Sequence, residues 1–382
     1  MSHAILAPSS ASRWMACTPS ARLELKFPNK SSVYADEGTL AHAVGEAIIR
    51  FEHGLITKKQ YESLMLKHKK SEHYSEELLQ HCQNYADYVS EYVGKDSILL
   101  VEQKLDMTNY VPEGSGTGDI LIMQDKLMDF IDLKFGKGVP VFAENNKQLM
   151  LYALGAYNDF GFAFETEVIR MHIYQPRLDS VSMWEISVVD LIHWAETELK
   201  EKAQMAFKGE GEFVPGKHCG FCKAKAQCRA LRDYNMELAA LAFKEPDLLE
   251  DEELLEVLEK KPLFDNWIKA VGEYLLEQAK NGRKFVGYKL VHGKSNRLYG
   301  DPLAVENVLK KKGITDIYTE PKLVGITELN KRIGKNKFSE LVEPLLIKPE
   351  GKPTLVPNAD KRPEMASPTE ASDVFNDSND LI

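Results

Sequence analysis

The sequence predicts a mixed α/β protein, and three observations point to it. Roughly the first hundred residues carry the apolar spacing of amphipathic helices. From Ser97 the pattern changes to three short, apolar-rich, partly alternating segments cut apart by turn residues. A helix-like stretch then separates these from two further strand-like segments, so helix, sheet, helix and sheet follow one another.

The N-terminal helices are read at "SSASRWMACTPSARLEL", "DEGTLAHAVGEAIIRFEHG" closing on Gly54, "KKQYESLMLKHKK" and "SEELLQHCQNYADYVSEYV". The first strands are "SILLVEQKL", "GTGDILIMQ" and "KLMDFIDLKF"; the helix "NKQLMLYALGAYNDFG" follows, then strands at "EVIRMHIYQP" and "VSMWEISVV". A helix over 188–208 leads to the loop "GEGEFVPGKHCGFC", where Gly and Pro break regular structure ahead of a cysteine cluster. Beyond it lie two helical segments, "PDLLEDEELLEVLEKKP" and "FDNWIKAVGEYLLEQAK". A chain of 382 residues exceeds a single core of roughly 250 residues, so several domains are expected. They are a helical part at 1–96, a strand-bearing core at 97–232 ending in the cysteines, and a helical connector at 233–283. A small α+β unit at 284–362 and a polar, acidic, disordered tail at 363–382 complete the chain.

Composition excludes several classes. No apolar run approaches the roughly 18 residues of a membrane span. The start, "MSHAILAPSS", has neither the basic nor the apolar part of a secretory signal, so a cytoplasmic protein with reduced thiols is expected. A net charge of -10 argues against coating nucleic acid by bulk electrostatics, so any such contact must be local.

Chemistry concentrates in the strand region. Asp119 sits in "GTGDILI", and thirteen positions on, "IDLK" places Asp132 and Lys134 two apart, on one face of a strand. Asp119 on a neighbouring strand is expected to meet them, which would bring two carboxylates and an ammonium together for metal-assisted phosphodiester hydrolysis. A D-x-K triplet alone is weak, since a solvated strand face carries the same residues.

The surroundings strengthen it. His42 in "GTLAHAVGE" has Glu46 one helical turn on, Glu102 stands in "LLVEQKL", and Gln148 and Tyr152 are four apart in "KQLMLYALG". In this order the residues resemble the RecB-like branch of the PD-(D/E)XK nucleases, with its early His, strand Glu, G-x-x-D, D-x-K and Q-x-x-x-Y. The resemblance implies a restriction-endonuclease-like core, a mixed sheet flanked by helices. It implies Mg²⁺ or Mn²⁺ held by His42, Asp119 and Asp132 with Glu102 assisting, Lys134 as the catalytic lysine, and Gln148 and Tyr152 as substrate-positioning residues.

Cys219, Cys222 and Cys228 have the spacing C-x2-C-x5-C, and a four-thiolate metal centre needs one more ligand. Cys82 lies on an apolar helix face and reads as a small buried hydrophobe, which leaves Cys17. Four thiolates also suit structural zinc, although zinc sites commonly use two local pairs and here the split is one and three. One Cys before the core and three after it resemble the iron–sulfur subclass of these nucleases, including AddB subunits, which implies a [4Fe–4S] cluster clasping both ends of the domain. The layout from "PSSASRW" to "GKPTLVP" also resembles an uncharacterised family borne by phages and prophages.

The function expected from these resemblances is DNA cleavage, as an exonuclease in phage recombination or replication inside a bacterial host cell. Expected partners are DNA and a phage or host recombination protein, such as a single-strand-binding protein or an annealase, with no membrane. The alternatives are a non-catalytic DNA-binding or scaffolding subunit of the same fold and a zinc-stabilised interaction protein. In the C-terminal unit Lys294, Arg297 and Lys361 are candidate phosphate contacts.

Overall fold

Residues 4–29, 33–138, 140–240, 250–293, 295, 297–319, 322–323, 325–347, 349–357 and 363–365 are described by the computed structural model. The chain opens with short helices α1 (Ala11–Ala16) and α2 (Ser20–Leu23), followed by α3 (Val33–Glu52), α4 (Lys58–His68) and α5 (Glu76–Tyr92). Local chemistry sets these boundaries. Thr57 and Gln60 form a reciprocal capping box that opens α4, and the Ser75 hydroxyl accepts from Leu78 N to open α5.

The strands follow: β1 (Ile98–Asp106), β2 (Ser115–Gln124), β3 (Leu127–Leu133), then α6 (Lys147–Ala156), β4 (Val168–Gln175) and β5 (Ser180–Ser187). They make one mixed five-stranded sheet in the order β1-β2-β3-β4-β5. All neighbours run antiparallel except β3 and β4, which are parallel and therefore need the crossover that α6 supplies. After the sheet come α7 (Val188–Trp194) and α8 (Lys200–Lys208), joined by a π-turn at Ala195–Leu199 into one helical run. The run stops at Gly209, whose φ of +79° favours glycine.

Both faces of the sheet are covered. Val44, Ile48 and Ile49 of α3 and Leu78, Cys82, Ala86 and Val89 of α5 pack on Val101, Ile120, Ile122, Ile131 and Leu133. On the other face Trp14 of α1, α6 and the α7–α8 run pack on Leu105, Leu121, Met123, Phe130 and Met171. Central β3 is accordingly buried from Met128 to Leu133, as a strand between two helical layers must be. The expected mixed α/β class, a sheet flanked by helices, is what the chain adopts.

Helix α9 (Arg229–Ala240) leads toward α10 (Asp251–Lys280). Where the sequence predicts two helical segments separated at Pro262, α10 is one helix with that proline inside it. Proline removes one backbone donor yet its fixed φ is helical, and the Leu, Glu, Lys and Ala residues on both sides carry the helix through. The chain divides into two compact units, Met1–Trp267 and Ile268–Ile382.

The second unit contains β6 (Tyr288–His292), β7 (Leu298–Tyr299), α11 (Pro302–Lys311), β8 (Tyr318–Thr319) and β9 (Lys322–Leu323). It continues with α12 (Ile326–Ile333), α13 (Lys335–Leu341), β10 (Leu346–Ile347) and β11 (Pro353–Pro357). β6 pairs with β11, β7 with β10 and β8 with β9, around a small core of Val305, Leu309, Ile317, Leu329, Phe338 and Val342. The expected disordered tail falls, beyond residue 365, outside the described residues, as do Lys294 and Lys361. Among the described residues no helix is long and apolar enough to cross a membrane.

Candidate active site and thiol centre

Strand register brings the predicted carboxylates into one row. Val101 pairs with Ile120 and Gln103 with Gly118, so Glu102 and Asp119 stand opposite one another; Ile120 pairs with Ile131, so Asp132 continues the row on β3. The ladder is interrupted at this row. Glu102 has φ +52°, a left-handed conformation that costs a non-glycine residue on the order of 1–3 kcal/mol.

The interruption swaps the two faces of the strands. Val101 belongs to the α3/α5 core, whereas Leu105, four residues on, belongs to the opposite core, which strict alternation forbids. In β2 a Cβ on Gly118 would meet Phe130 and Leu105 on one side, while Ile120 packs on the other. Asp119 lies at the swap and turns toward α3, where its Oδ2 is 3.2 Å from His42 Nδ1 and also accepts from Leu133 N at 2.8 Å. One ligand atom from each of His42, Glu102 and Asp119 lies within 4.8 Å of the others. They line an open cleft of about 500 Å³ with Glu46, Thr39 and Gly38.

Asp132 and Lys134 share a face, as their spacing predicts, and Asp132 Oδ2 lies 2.7 Å from Lys134 Nζ. Lys134 Nζ also donates to Gln148 Oε1 at 3.1 Å, and Gln148 Nε2 reaches Asp132 Oδ1 at 3.4 Å. Tyr152, one turn further along α6, is buried and stacks on Phe130 with ring centroids 5.3 Å apart. Gly116 of the G-x-x-D motif makes room for it, since a Cβ there would sit 2.7 Å from the Tyr152 ring. The row therefore has two ends: an open one at His42 and Glu102, and an enclosed one at Asp132, Lys134 and Gln148.

Electrostatics match this layout. Burial and then the charge of Asp119 push the Glu102 carboxyl up to about 7. Burial opposes protonation of His42, but the hydrogen bond and charge of Asp119, helped by Asp132 and Glu102, lift it to about 9. Burial raises the Asp132 carboxyl above the usual range in spite of Lys134. Lys134 is itself buried, yet Asp132 and Asp119 hold its ammonium charged.

Two arginines outside the motif position α3. Arg50 donates to Val101 O at 2.9 Å, immediately before Glu102, and pairs with Glu46 at 2.8 Å. Arg177, in the turn between β4 and β5, pairs with Glu37 at the start of α3 and lies over the Phe135 ring at 4.3 Å. The i,i+4 spacing of Glu46 and Arg50 was a visible signal. The Arg177–Glu37 pair, 140 residues apart, had none.

The thiols gather as expected. Cys17, Cys219, Cys222 and Cys228 line one pocket with Arg13, Ser20, Val214 and His218. Burial raises the Cys17 and Cys219 thiols and pushes Cys222 up to about 12. Cys82 is elsewhere, buried under α3, where its thiol donates to Ala41 O. Hydrogen bonds stitch the two chain segments together around the pocket. Thr18 Oγ1 donates to Glu210 O, Arg22 to Phe207 O, Arg13 to Phe221 O, and Lys223 N to the Glu24 carboxylate that also pairs with Arg13.

Among solved structures, one titled "Crystal structure of SSO0001" is similar to this chain at 12% identity, covering 58% of this chain and 96% of that one with a TM-score of 0.23. A likeness that slight supports no argument about fold or activity. The sequence profile described as "Protein of unknown function (DUF2800)" matches residues 3–363, nearly the whole chain. The chain, with its carboxylate row and its four-thiol pocket, belongs to the DUF2800 family.

Proposed function

We propose that this protein is a Mg²⁺- or Mn²⁺-dependent deoxyribonuclease of the RecB-like PD-(D/E)XK kind. It acts as an exonuclease in phage recombination or replication within the cytoplasm of the bacterial host, with a [4Fe–4S] cluster on Cys17, Cys219, Cys222 and Cys228. The observation that carries the reading is the row of Glu102, Asp119 and Asp132 across three adjacent strands, with His42 at one end and Lys134 at the other.

The carboxylates of this group are hard oxygen donors that suit Mg²⁺ or Mn²⁺, and the imidazole within 4.8 Å of them would join as a ligand on losing its proton. His42, Glu102 and Asp119 would hold the ion, with Asp132 flanking it on the next strand. A bound cation supplies charge that polarises the phosphodiester and acidifies a ligated water. Lys134 is protonated, so it donates a hydrogen bond to the attacking water or to a phosphate oxygen. Asp132 and Gln148 hold that ammonium in place. Glu102 and His42 face the open cleft, the side from which a nucleic-acid strand can reach the carboxylates.

The thiol pocket would suit the [4Fe–4S] cluster: one thiolate comes from before the core and three from after it, whereas a single structural zinc commonly uses two local pairs. The raised pKa values of these thiols mean that protons leave as the metal binds, so assembly couples to folding.

Digestion of linear DNA with and without Mg²⁺ or Mn²⁺ tests the activity, and Lys134→Ala should lower the rate by at least about 100-fold while keeping the unfolding temperature. Equal rates would reject the assigned site. Iron and sulfide analysis of anaerobically purified protein tests the cluster: Cys17→Ser should lose iron as fully as Cys222→Ser, whereas Cys82→Ser should keep it. Stoichiometric zinc instead would reject the cluster.

A further inference from the structure

Residues 284–357 and the rest of the chain carry opposite charge. Residues 284–357 hold fourteen Lys and Arg against eight Asp and Glu, whereas the whole chain has a net charge of -10. Helix capping and random surface lysines account for single residues, not for a sign change between two folded units.

Within this basic unit the acidic side chains are partly spent. Glu306 pairs with Lys310, Asp316 with Arg332 at 2.8 Å, and Glu343 with Arg297 at 3.6 Å. Arg297, one of the three phosphate contacts expected from the sequence, is thus engaged in an ion pair. Lys311 and Lys312, at the C-terminal end of α11, and Lys337, on α13, are exposed. Among the described residues no carboxylate lies within ion-pair distance of these three. The Asp316–Arg332 pair ties the segment after α11 to the end of α12, and Leu309, Leu329 and Phe338 lock the three helices into one core. The end of α11 and the α12–α13 corner are therefore carried by one small core, with Lys311 and Lys312 two and three residues from buried Leu309 and Lys337 next to buried Phe338.

We propose that this part of the unit is a phosphate-backbone contact through which the C-terminal unit holds DNA, using Lys311, Lys312 and Lys337. The choice of DNA rests on the deoxyribonuclease reading. Such a contact needs no base-specific groups, and the flexible lysine heads suit a polyanion read by charge alone. It also answers how an acidic protein retains an acidic substrate: attraction is confined to the unit that carries the opposite sign.

The test is binding of a labelled linear DNA duplex by the full-length chain in EDTA, followed by fluorescence anisotropy between about 50 and 200 mM salt. The protein compared with wild type carries Lys311→Glu, Lys312→Glu and Lys337→Glu together. Three phosphate contacts contribute about 2.7 to the slope of log affinity against log salt, so the variant should bind at least about tenfold more weakly with a slope shallower by two to three. The glutamine triple variant, which removes charge without adding any, should fall between the two, and both should melt with wild type. Unchanged affinity and slope in both folded variants would overturn the inference. Because EDTA removes hydrolysis, the outcomes separate. Weakened binding in a chain that never cuts DNA would sink the nuclease reading alone, whereas unchanged binding in an active nuclease would sink only this contact.

Discussion

Strand β3 carries two buried aspartates three residues apart, and their surroundings could hardly differ more. Asp129 is fully buried and fully answered. Arg170 donates to both its oxygens, at 2.5 and 3.1 Å, and His172 Nε2 lies 3.0 Å from Oδ1. Behind them, the Tyr88 hydroxyl meets His172 Nδ1 at 2.8 Å, and Arg170 lies over the Tyr92 ring at 5.2 Å. Although burial works against the charge, these partners hold the Asp129 carboxyl below its ordinary value. Asp132 has Lys134 and, more weakly, His42 to set against its own burial and the charge of Asp119, and its carboxyl is still raised. A buried network that satisfies every charge is a structural device, whereas one left short of positive charge has room for a cation. The same strand thus holds a finished ion cluster and an unfinished one.

The largest effect expected from this contrast is on stability. Asp129→Ala leaves a fully buried His172 and a half-buried Arg170 without their acceptor and should cost about 3–5 kcal/mol in denaturant unfolding. Asp132→Asn relieves repulsion from Asp119 but leaves the Lys134 ammonium facing a neutral acceptor, so it should cost less than Asp129→Ala, about 1–2 kcal/mol, while weakening Mn²⁺ binding by calorimetry. Equal destabilisation by the two would erase the distinction between the clusters.

Acid sharpens it next. The folded pKa of Asp129 lies below that of the unfolded carboxyl, about 3.9. Its contribution is therefore complete above roughly pH 4 and is lost as pH falls through the folded value. Denaturant midpoints between pH 3 and pH 6 should decline toward acid in wild type and flatten in Asp129→Asn. A wild-type profile without that acid limb would mean that the network contributes nothing.

A smaller effect belongs to the enclosed end of the site. Gly116→Ala puts a methyl 2.7 Å from a Tyr152 ring already stacked on Phe130, so the ring must shift, at about 1–3 kcal/mol. The displacement should lower cleavage through α6 and Gln148 while leaving Mn²⁺ affinity unchanged; weakened metal binding would place Tyr152 closer to the cation than its contacts indicate.

Much of this was legible in the sequence because it was local. Asp132 and Lys134 share a face by the two-residue period, and His42, Gln148 and Tyr152 sit on helices whose apolar spacing is strong. The orientation of Asp119 was not legible, because the left-handed backbone of Glu102 swaps the strand faces and no residue type marks the place. Nor was the Asp129 cluster, since its partners come from a parallel pairing in which Asp129 faces Arg170 and Ile131 faces His172, a register fixed only by the crossover. The single helix across Pro262 was missed because a proline reads as punctuation unless the flanking helix formers outweigh it.

The stitching of residues 13–24 to residues 207–223 bears on how the chain is made. Trp14 is buried among the sheet, α6 and the helical run that ends at Lys208, so on an emerging chain its burial is complete only after nearly two hundred further residues have been synthesised. Closing so long a loop comes late and is slow, because its entropy must be spent before any contact rewards it. Until then an apolar N-terminal segment and an open sheet are exposed to neighbouring chains, which makes a ribosome stalled ahead of Cys228 a source of aggregation rather than of a smaller working domain.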